Sequence, residues 1–389
     1  MTQYRYLAYD LLTNVALAEL ELTNVNFSKQ LNSAGTFTGE ILISDSTETV
    51  QKILDNTQTG KTALYVERSD PDNNIGPTLV WGGIIWNRAY DSTSQRISFT
   101  AREFESFFEK LIIFPTNFTP FGYANNGLAI QFTNVDEVLL AQLLINSAQG
   151  IAPSPTNIGV QVTGATSGQN VSKTYYSYEY KTYYQALLDL SQSNNGFDFN
   201  IDVYYDASGT PQKIFNIGYP QLGTRYSPTS TTAIVVQMPG NMVDYKYEED
   251  SADQVNLAYV TGQGSNEAQL VSSASGQTTL LPQYPWPQYQ GVFNYSDITD
   301  TNLLSLLAKG RIAATDYPIN HLSVTVTGRA HPYAGTYNPA DDVRVIITDS
   351  RFPTTLDATY RLVGMTVSPG ENNSAELVSM SLTLPTNVY

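Results

Sequence analysis

A mainly β, multi-domain fold with a few α-helices is what this sequence predicts, and three observations predict it. Apolar and polar residues alternate with a period of two over most of the first hundred residues and again from Ile234 to the end, the pattern of strands with one buried face. Runs at helical spacing are few, short and bounded by capping residues, glycine or proline. At 389 residues the chain is long enough for two or three domains, each with its own core. Three regions are expected: a β-rich domain over residues 1–114, an α+β domain over 115–235, and a second β-rich domain over 236–389 that can be discontinuous.

In the first region Tyr4, Tyr6 and Ala8 share one face of a strand. After a turn at Thr13 and Asn14, Ala16, Ala18, Leu20 and Leu22 share a face of the next. A small-residue turn at Ser33, Ala34 and Gly35 leads into Phe37, Gly39, Ile41 and Ile43, and Asp45 with Glu48 makes a capping box for a short helix to about Leu54. Strands resume at Thr62, where Leu64 and Val66 alternate with Tyr65 and Glu67. A turn-rich loop follows from Ser69 to Pro77, then a strand or strand pair from Leu79 to Tyr90, and another through Ile97 and Phe99. Arg102 to Leu111 switches to helical spacing, with Phe104, Phe107, Phe108 and Leu111 on one side, and Pro115 ends the element.

In the middle region Asn134 and Glu137 form a capping box for a helix through Leu139, Leu140, Leu143 and Leu144, stopped by Gly150. Thr182 and Gln185 repeat that logic for a helix through Ala186 to Leu190, with Gly196 ending it. Phe197, Phe199, Ile201 and Val203 then alternate as a strand. Beyond Ile234 the pattern is strands, interrupted by a Ser/Gly/Gln-rich stretch at 262–278 that reads as a mobile loop and by one helix from about Asp300 to Ala314. Strands at His321 to Gly328, Val343 to Thr348, Tyr360 to Ser368 and Leu377 to Leu384 complete the chain, with no short-period repeat to suggest a solenoid or propeller.

Composition narrows the function. The chain has no cysteine, which removes disulfides, thiolate metal sites and cysteine nucleophiles and fits assembly in a reducing cytosol. Two histidines, His321 and His331, are too few for most zinc sites or a Ser-His-Asp triad. No cofactor is expected, and catalysis would have to rest on carboxylates or tyrosines. The start of the chain lacks a secretory signal and no apolar run approaches a membrane span, so neither export nor membrane insertion is expected. Charged residues make up only 14%, while 27 tyrosines, 15 phenylalanines and 3 tryptophans suit either a tyrosine-rich β-fold or a surface largely covered by neighbours. The net charge of −16 disfavours general affinity for a nucleic-acid backbone, but an acidic wall would let DNA slide through a channel without sticking.

Several local patterns resemble sites. Asp70, Asp72, Asn74 and Gly76 suggest a calcium loop but fail its register, because Ile75 and Trp81 stand where glycine and glutamate are required; an ordinary turn is the better reading. Glu248, Glu249, Asp250 and Asp253 could furnish paired carboxylates, yet glycosidases set such groups on opposite sides of a sugar, so a solvated acidic edge is expected. Gly262-Gln263-Gly264 lacks the third glycine of a dinucleotide fingerprint. The proline-stiffened segment Leu281 to Gln290 carries Tyr284, Trp286 and Tyr289, whose faces can stack on sugars, insert into a partner or pack on their own domain. Trp81 and Trp86, beside Gly82 and Gly83, read as core or interface residues.

Four runs carry a family resemblance: YRYLAYDLLTN (Tyr4 to Asn14), LNSAGTFTG (Leu31 to Gly39), LVWGGIIWNRAYDS (Leu79 to Ser92) and FTAREFESFFE (Phe99 to Glu109). As a set they resemble minor tail proteins of long-tailed phages that infect actinobacteria, of the tail-tip or baseplate hub type. The segments Tyr183 to Phe199 and Tyr247 to Gly262 match more loosely, and Pro339-Ala340-Asp341-Asp342-Val343 stands where the family has a Gly-Asp turn.

The resemblance implies two β-barrel-like tube domains per subunit and a homotrimeric ring of pseudo-sixfold symmetry. That ring would stack beneath the distal tail protein, surround the end of the tape measure protein, anchor tail fibre or other tip proteins, and guide DNA without binding it specifically. It implies a virion protein at the tail tip, assembled in the host cytoplasm and without enzymatic activity. Some relatives extend into peptidase or sugar-binding modules, and no such extension is expected after the last strand here. The rival expectations are a receptor-recognition module or cell-wall glycosidase at the same tip, using Tyr284, Trp286 and the 248–253 carboxylates, and the hexameric distal tail protein.

Overall fold

Residues 2–43, 47–114, 124–125, 129–150, 154–163, 166–193, 196–227, 233–280, 286–370 and 374–384 are described by a computed structural model. The N-terminal alternating segments become seven strands: β1 (Gln3–Asp10), β2 (Ala16–Leu20), β3 (Thr23–Gln30), β4 (Thr36–Leu42), β5 (Thr62–Asp70), β6 (Ile75–Asp91) and β7 (Arg96–Glu103). Helix α1 (Thr47–Asn56) lies between β4 and β5, and α2 (Glu105–Phe108) follows β7. These strands pair antiparallel in the order β2-β1-β5-β6-β7-β4-β3.

The middle of the chain supplies β8 (Ala124–Asn125), β9 (Ala129–Asp136), α3 (Glu137–Gln149), β10 (Val160–Thr163), β11 (Asn170–Tyr176), α4 (Tyr183–Ser191), β12 (Asp198–Tyr205) and β13 (Pro211–Gly218), arranged as two three-stranded sheets. The remainder holds β14 (Ile234–Met238), β15 (Met242–Asp250), β16 (Leu257–Thr261), β17 (Val271–Ser275), α5 (Gln277–Leu280), β18 (Gln290–Asn294), α6 (Thr301–Thr315), β19 (Ile319–Thr327), β20 (Asp342–Ile347), β21 (Leu356–Ser368) and β22 (Leu377–Thr383). Strand β21 pairs antiparallel with β3, setting Gly364 opposite Gln30 and Val367 opposite Phe27. One 13-stranded sheet therefore runs from β2 through this seam to β22, β19 and β15, with β20 and β14 branching from β21.

Two hydrophobic clusters explain the arrangement. One joins the two ends of the chain, placing Phe37, Val66 and Trp81 with Val324, Leu362 and Met380. The other gathers Leu144, Leu187, Phe199 and Phe215 of the middle region with Val260, Leu304 and Leu307, and also takes Ala63, Tyr65, Ile84 and Phe104 from the N-terminal sheet. Strands β5 and β6 are thus covered on both faces. The simple alternation expected at Leu64 to Glu67 gives way to a run buried at every position from Thr62 to Arg68, because even-numbered Leu64 and Val66 face one cluster and odd-numbered Ala63 and Tyr65 face the other.

Other expectations shift locally. Ser69 to Pro77 is a tight hairpin in which Asp70 pairs with Ile75, and β6 is one 17-residue strand. The helix expected over Arg102 to Leu111 shrinks to the four residues of α2, because β7 continues to Glu103 through pairing with β4 and β6. Helix α3 is capped by Asp136, which accepts from the amides of Val138 and Leu139, while Asn134 sits within β9 at φ 54°. The Thr182/Gln185 capping box forms as expected, and Asp300 caps α6. The 262–278 stretch contains a 3-10 turn and β17, which is held against β16 and α6 rather than left as a loop. The caps expected from Asp45 and the stop at Pro115 lie outside the described residues.

Candidate functional site

The aromatic segment is built onto the end of the small sheet β17-β16-β18. Asn256, fully buried, organises it: its Oδ1 accepts from the Tyr289 amide at 2.8 Å, its Nδ2 donates to the Pro287 carbonyl at 2.9 Å, and its own amide donates to the Tyr289 carbonyl at 3.0 Å. Held this way, Trp286 and Tyr289 are 38% and 41% exposed, so they do not serve the hydrophobic core. Tyr284 lies outside the described residues. One face of the sheet buries Ala258 and Val260 against α6, and strand alternation turns Tyr259, Val271 and Val292 outward. Asn256 gave no sign of this role in sequence, since its partners are backbone groups 31 and 33 residues away.

The carboxylates of the rival site take a different place. Glu248, Glu249 and Asp250 lie exposed on β15, which among the described residues is an edge strand of the large sheet paired only with β19. Asp253, also exposed, follows in the connecting turn. This is the solvated acidic edge expected, and charge on an edge strand discourages pairing with further strands. The calcium-like segment is a structural turn: Asp70 is buried, accepts from Asn73 Nδ2 at 2.8 Å and sits 3.7 Å from Arg68, and no group of three or more metal-ligating side chains occurs among the described residues. Trp81 is fully buried with its indole N–H on the Ser28 carbonyl at 3.0 Å, whereas Trp86 is partly buried and donates to Ser106 Oγ at 2.8 Å.

Sequence reading did not find the buried ion pairs where the three regions meet. Arg68 on β5 clasps Glu376, just before β22, through Nε at 2.7 Å and Nη2 at 2.8 Å, and Tyr4 donates to the same carboxylate. Arg361 on β21 pairs with Asp198 on β12, both fully buried. Lys29 on β3 reaches Asp202 at 2.6 Å and Asn338 at 2.8 Å. Lys173 and Lys181 flank Asp297 at 2.8 and 3.0 Å, holding its carboxyl at about pKa 2 although burial alone would raise it. Burial pushes Glu105 up to about 7, and it pushes neighbouring Glu103 up as well. Such groups tie separate parts of the chain together. The signal available in sequence was slight: Arg68 and Arg361 are each the single cation of their strand.

This combination of a continuous sheet built from both ends of the chain and an α+β middle defines a fold shared with phage tail proteins. A tail protein from Neisseria meningitidis matches over 98% of this chain and 98% of its own, with 15% identity and a TM-score of 0.58. The 43 kDa tail protein of prophage MuSo2 from Shewanella oneidensis matches over 99% and 100%, with 13% identity and a TM-score of 0.59. A chain of the Francisella PdpA-VgrG complex matches over 100% of this chain and 53% of its own, with 6% identity and a TM-score of 0.55. No protein-family model and no curated protein matches the sequence. No helix among the described residues is long and apolar enough to cross a membrane.

Proposed function

We propose that this chain is the structural hub at the tail tip of a long-tailed phage of actinobacteria. Three copies form a ring that continues the tail tube, stacks beneath the distal tail protein, surrounds the end of the tape measure protein, carries fibre or other tip proteins and gates DNA passage. The observation that supports this reading is the likeness in fold to two tail proteins over nearly the full length of both chains. A ring needs its subunits to be rigid wall segments, and the β3–β21 seam makes one wall from residues more than 300 positions apart. The role is mechanical rather than catalytic.

In this reading the chain divides at 1–114, 115–235 and 236–389, with 255–316 inset between β15 and β19 and packed on the middle region. Three copies carry three times −16, or −48, formal charges, and the acidic β15 edge is placed toward the lumen, where like charge keeps DNA from adhering. Averaged images of the tail tip in intact particles test this. Three copies around the channel support the hub; six move the chain to the distal tail ring; an off-axis position favours a receptor-binding module.

A further inference from the structure

Lys29 is 6% exposed and lies on the β3–β21 seam, opposite Met365. Its Nζ donates to two oxygens of different chemistry. One belongs to the Asp202 carboxylate at 2.6 Å, and the other is the side-chain carbonyl of Asn338, 309 positions along the chain, at 2.8 Å. An ammonium has only donors, so the Asn338 amide turns its oxygen toward Nζ. The carbonyl carbon stands one C=O bond, about 1.23 Å, behind that oxygen and therefore within about 4 Å of Nζ. A small rotation of the amide brings it to the ~3–3.5 Å separation at which a nucleophile attacks.

The surroundings hold amine, amide and carboxylate together. The Asn338 backbone is fixed by Asp341, whose carboxylate accepts from the Asn338 amide at 2.8 Å and whose amide donates to the Asn338 carbonyl at 3.2 Å. Lys29, Asp202 and Asn338 all line a cavity of about 240 Å³ walled by Phe27, Val203, Met365 and Val367, which leaves room for a small molecule to depart. Asn338 is followed by Pro339. A proline nitrogen carries no hydrogen, so it cannot attack the asparagine side chain in the usual succinimide reaction, and the amide is kept for another nucleophile. Burial opposes the charge on Lys29, while Asp202, Glu103 and Glu105 favour it and leave its pKa raised. The free amine therefore forms only when Asp202, the hydrogen-bonded carboxylate, takes a proton.

We propose that Lys29 and Asn338 join in a side-chain amide, formed by the folded chain itself with Asp202 as the proton carrier. The Lys29 ammonium gives one proton to Asp202, and the amine lone pair forms the Nζ–Cγ bond. A second proton from the attacking nitrogen passes to Nδ2 of Asn338. The Cγ–Nδ2 bond then breaks, its electron pair stays on nitrogen, and ammonia leaves. No oxidant, reductant or cofactor enters. The product stitches the β3–β21 seam covalently in a chain that has no cysteine to do so.

The test is the intact mass of the purified full chain under denaturing conditions after overnight incubation, followed by tryptic mapping. The mass is expected to fall short of the sequence mass by one ammonia. The map is expected to hold residues 6–52, uncut at Lys29, bound to residues 330–344. Lys29→Arg and Asn338→Ala are expected to show the full sequence mass. Asp202→Asn, checked for wild-type circular dichroism, is expected to lose most of the linked species. A wild type at its full sequence mass, or an ammonia loss that maps to any other asparagine, overturns the proposal. Linkage in Asp202→Asn equal to that of the wild type overturns the part given to Asp202.

Discussion

Replacing Asp198 with asparagine leaves the shape of β12 almost unchanged and removes the anion that faces Arg361. Both side chains have zero exposure, so the guanidinium cannot turn to water. One Asp198 oxygen accepts from the Leu222 amide at 2.9 Å as well as from Arg361, and the other accepts from Asn32 Nδ2 at 3.3 Å, so the asparagine's amino group will face a donor at either position. Breaking one partner of a buried pair costs about 3–5 kcal/mol. Two carbonyls at 3.3 Å, Ala340 and Leu222, remain as acceptors for Arg361 and place the value toward the lower end, ~3 kcal/mol. In a chain of 389 residues that is a fall of roughly 4 °C in thermal midpoint. The comparison is Asp357→Asn, which breaks the Arg344–Asp357 pair at 2.6 Å where the side chains are 35% and 43% exposed. There the loss is expected to stay within about 1 kcal/mol because water replaces the partner. Calorimetry on both variants decides the matter. Equal losses would refute the claim that burial, rather than the ion pair itself, sets the size of the effect.

The Asp297 carboxyl, at about pKa 2 in the folded chain against 3.8 when unperturbed, contributes stability that is complete above pH 4 and is lost as pH falls toward 2. Asp297→Asn should flatten that part of the stability profile, measured by urea unfolding between pH 2 and 5. Glu105 has the opposite sign: its folded pKa of about 7 lies above the unperturbed 4.5, so the favourable protonated form is lost as pH rises through 7. Glu105→Gln should be more stable than wild type at pH 8.5, with the gap closing at pH 5 in the same unfolding assay. Gly35→Ala would set a Cβ 1.9 Å from the Ser28 carbonyl oxygen and 2.6 Å from Glu103, so a loss of at least about 2 kcal/mol is expected by thermal melting. Trp286→Ala, at an exposed side chain, should leave stability within about 0.5 kcal/mol.

Where one face of a strand meets solvent, the sequence was legible. Phe37, Gly39 and Ile41 alternate as β4, and Phe199 to Val203 as β12, because period two records burial on a single side. Caps were legible for the same local reason: Thr182 with Gln185 satisfies amides within its own turn. The helix expected after Arg102 failed because its phenylalanines at helical spacing serve different masters: Phe104 packs under β5 and Tyr65, while Arg102 is still held in the sheet opposite Thr36. The stretch at 262–278 misled in the other direction. Its small polar residues have weak strand preference, and pairing with β16 overrides that preference.

The candidate surface divides the same way. Its aromatic composition, Trp286 and Tyr289 among prolines, stood out in the sequence, as did the run of acids from Glu248 to Asp253. Their separation onto a small sheet and a large-sheet edge did not, and neither did the role of Asn256. By itself the sequence determined a β-rich chain without cysteine, its main helices, and a strongly acidic balance, because propensity, periodicity and charge are properties of neighbours along the chain. Only the tertiary structure decided that β3 joins β21, that β5 is buried on both faces, and that Arg361 meets Asp198. Each of those depends on contacts between residues more than 100 positions apart, whose free energy exists only once both partners have been brought together and dried.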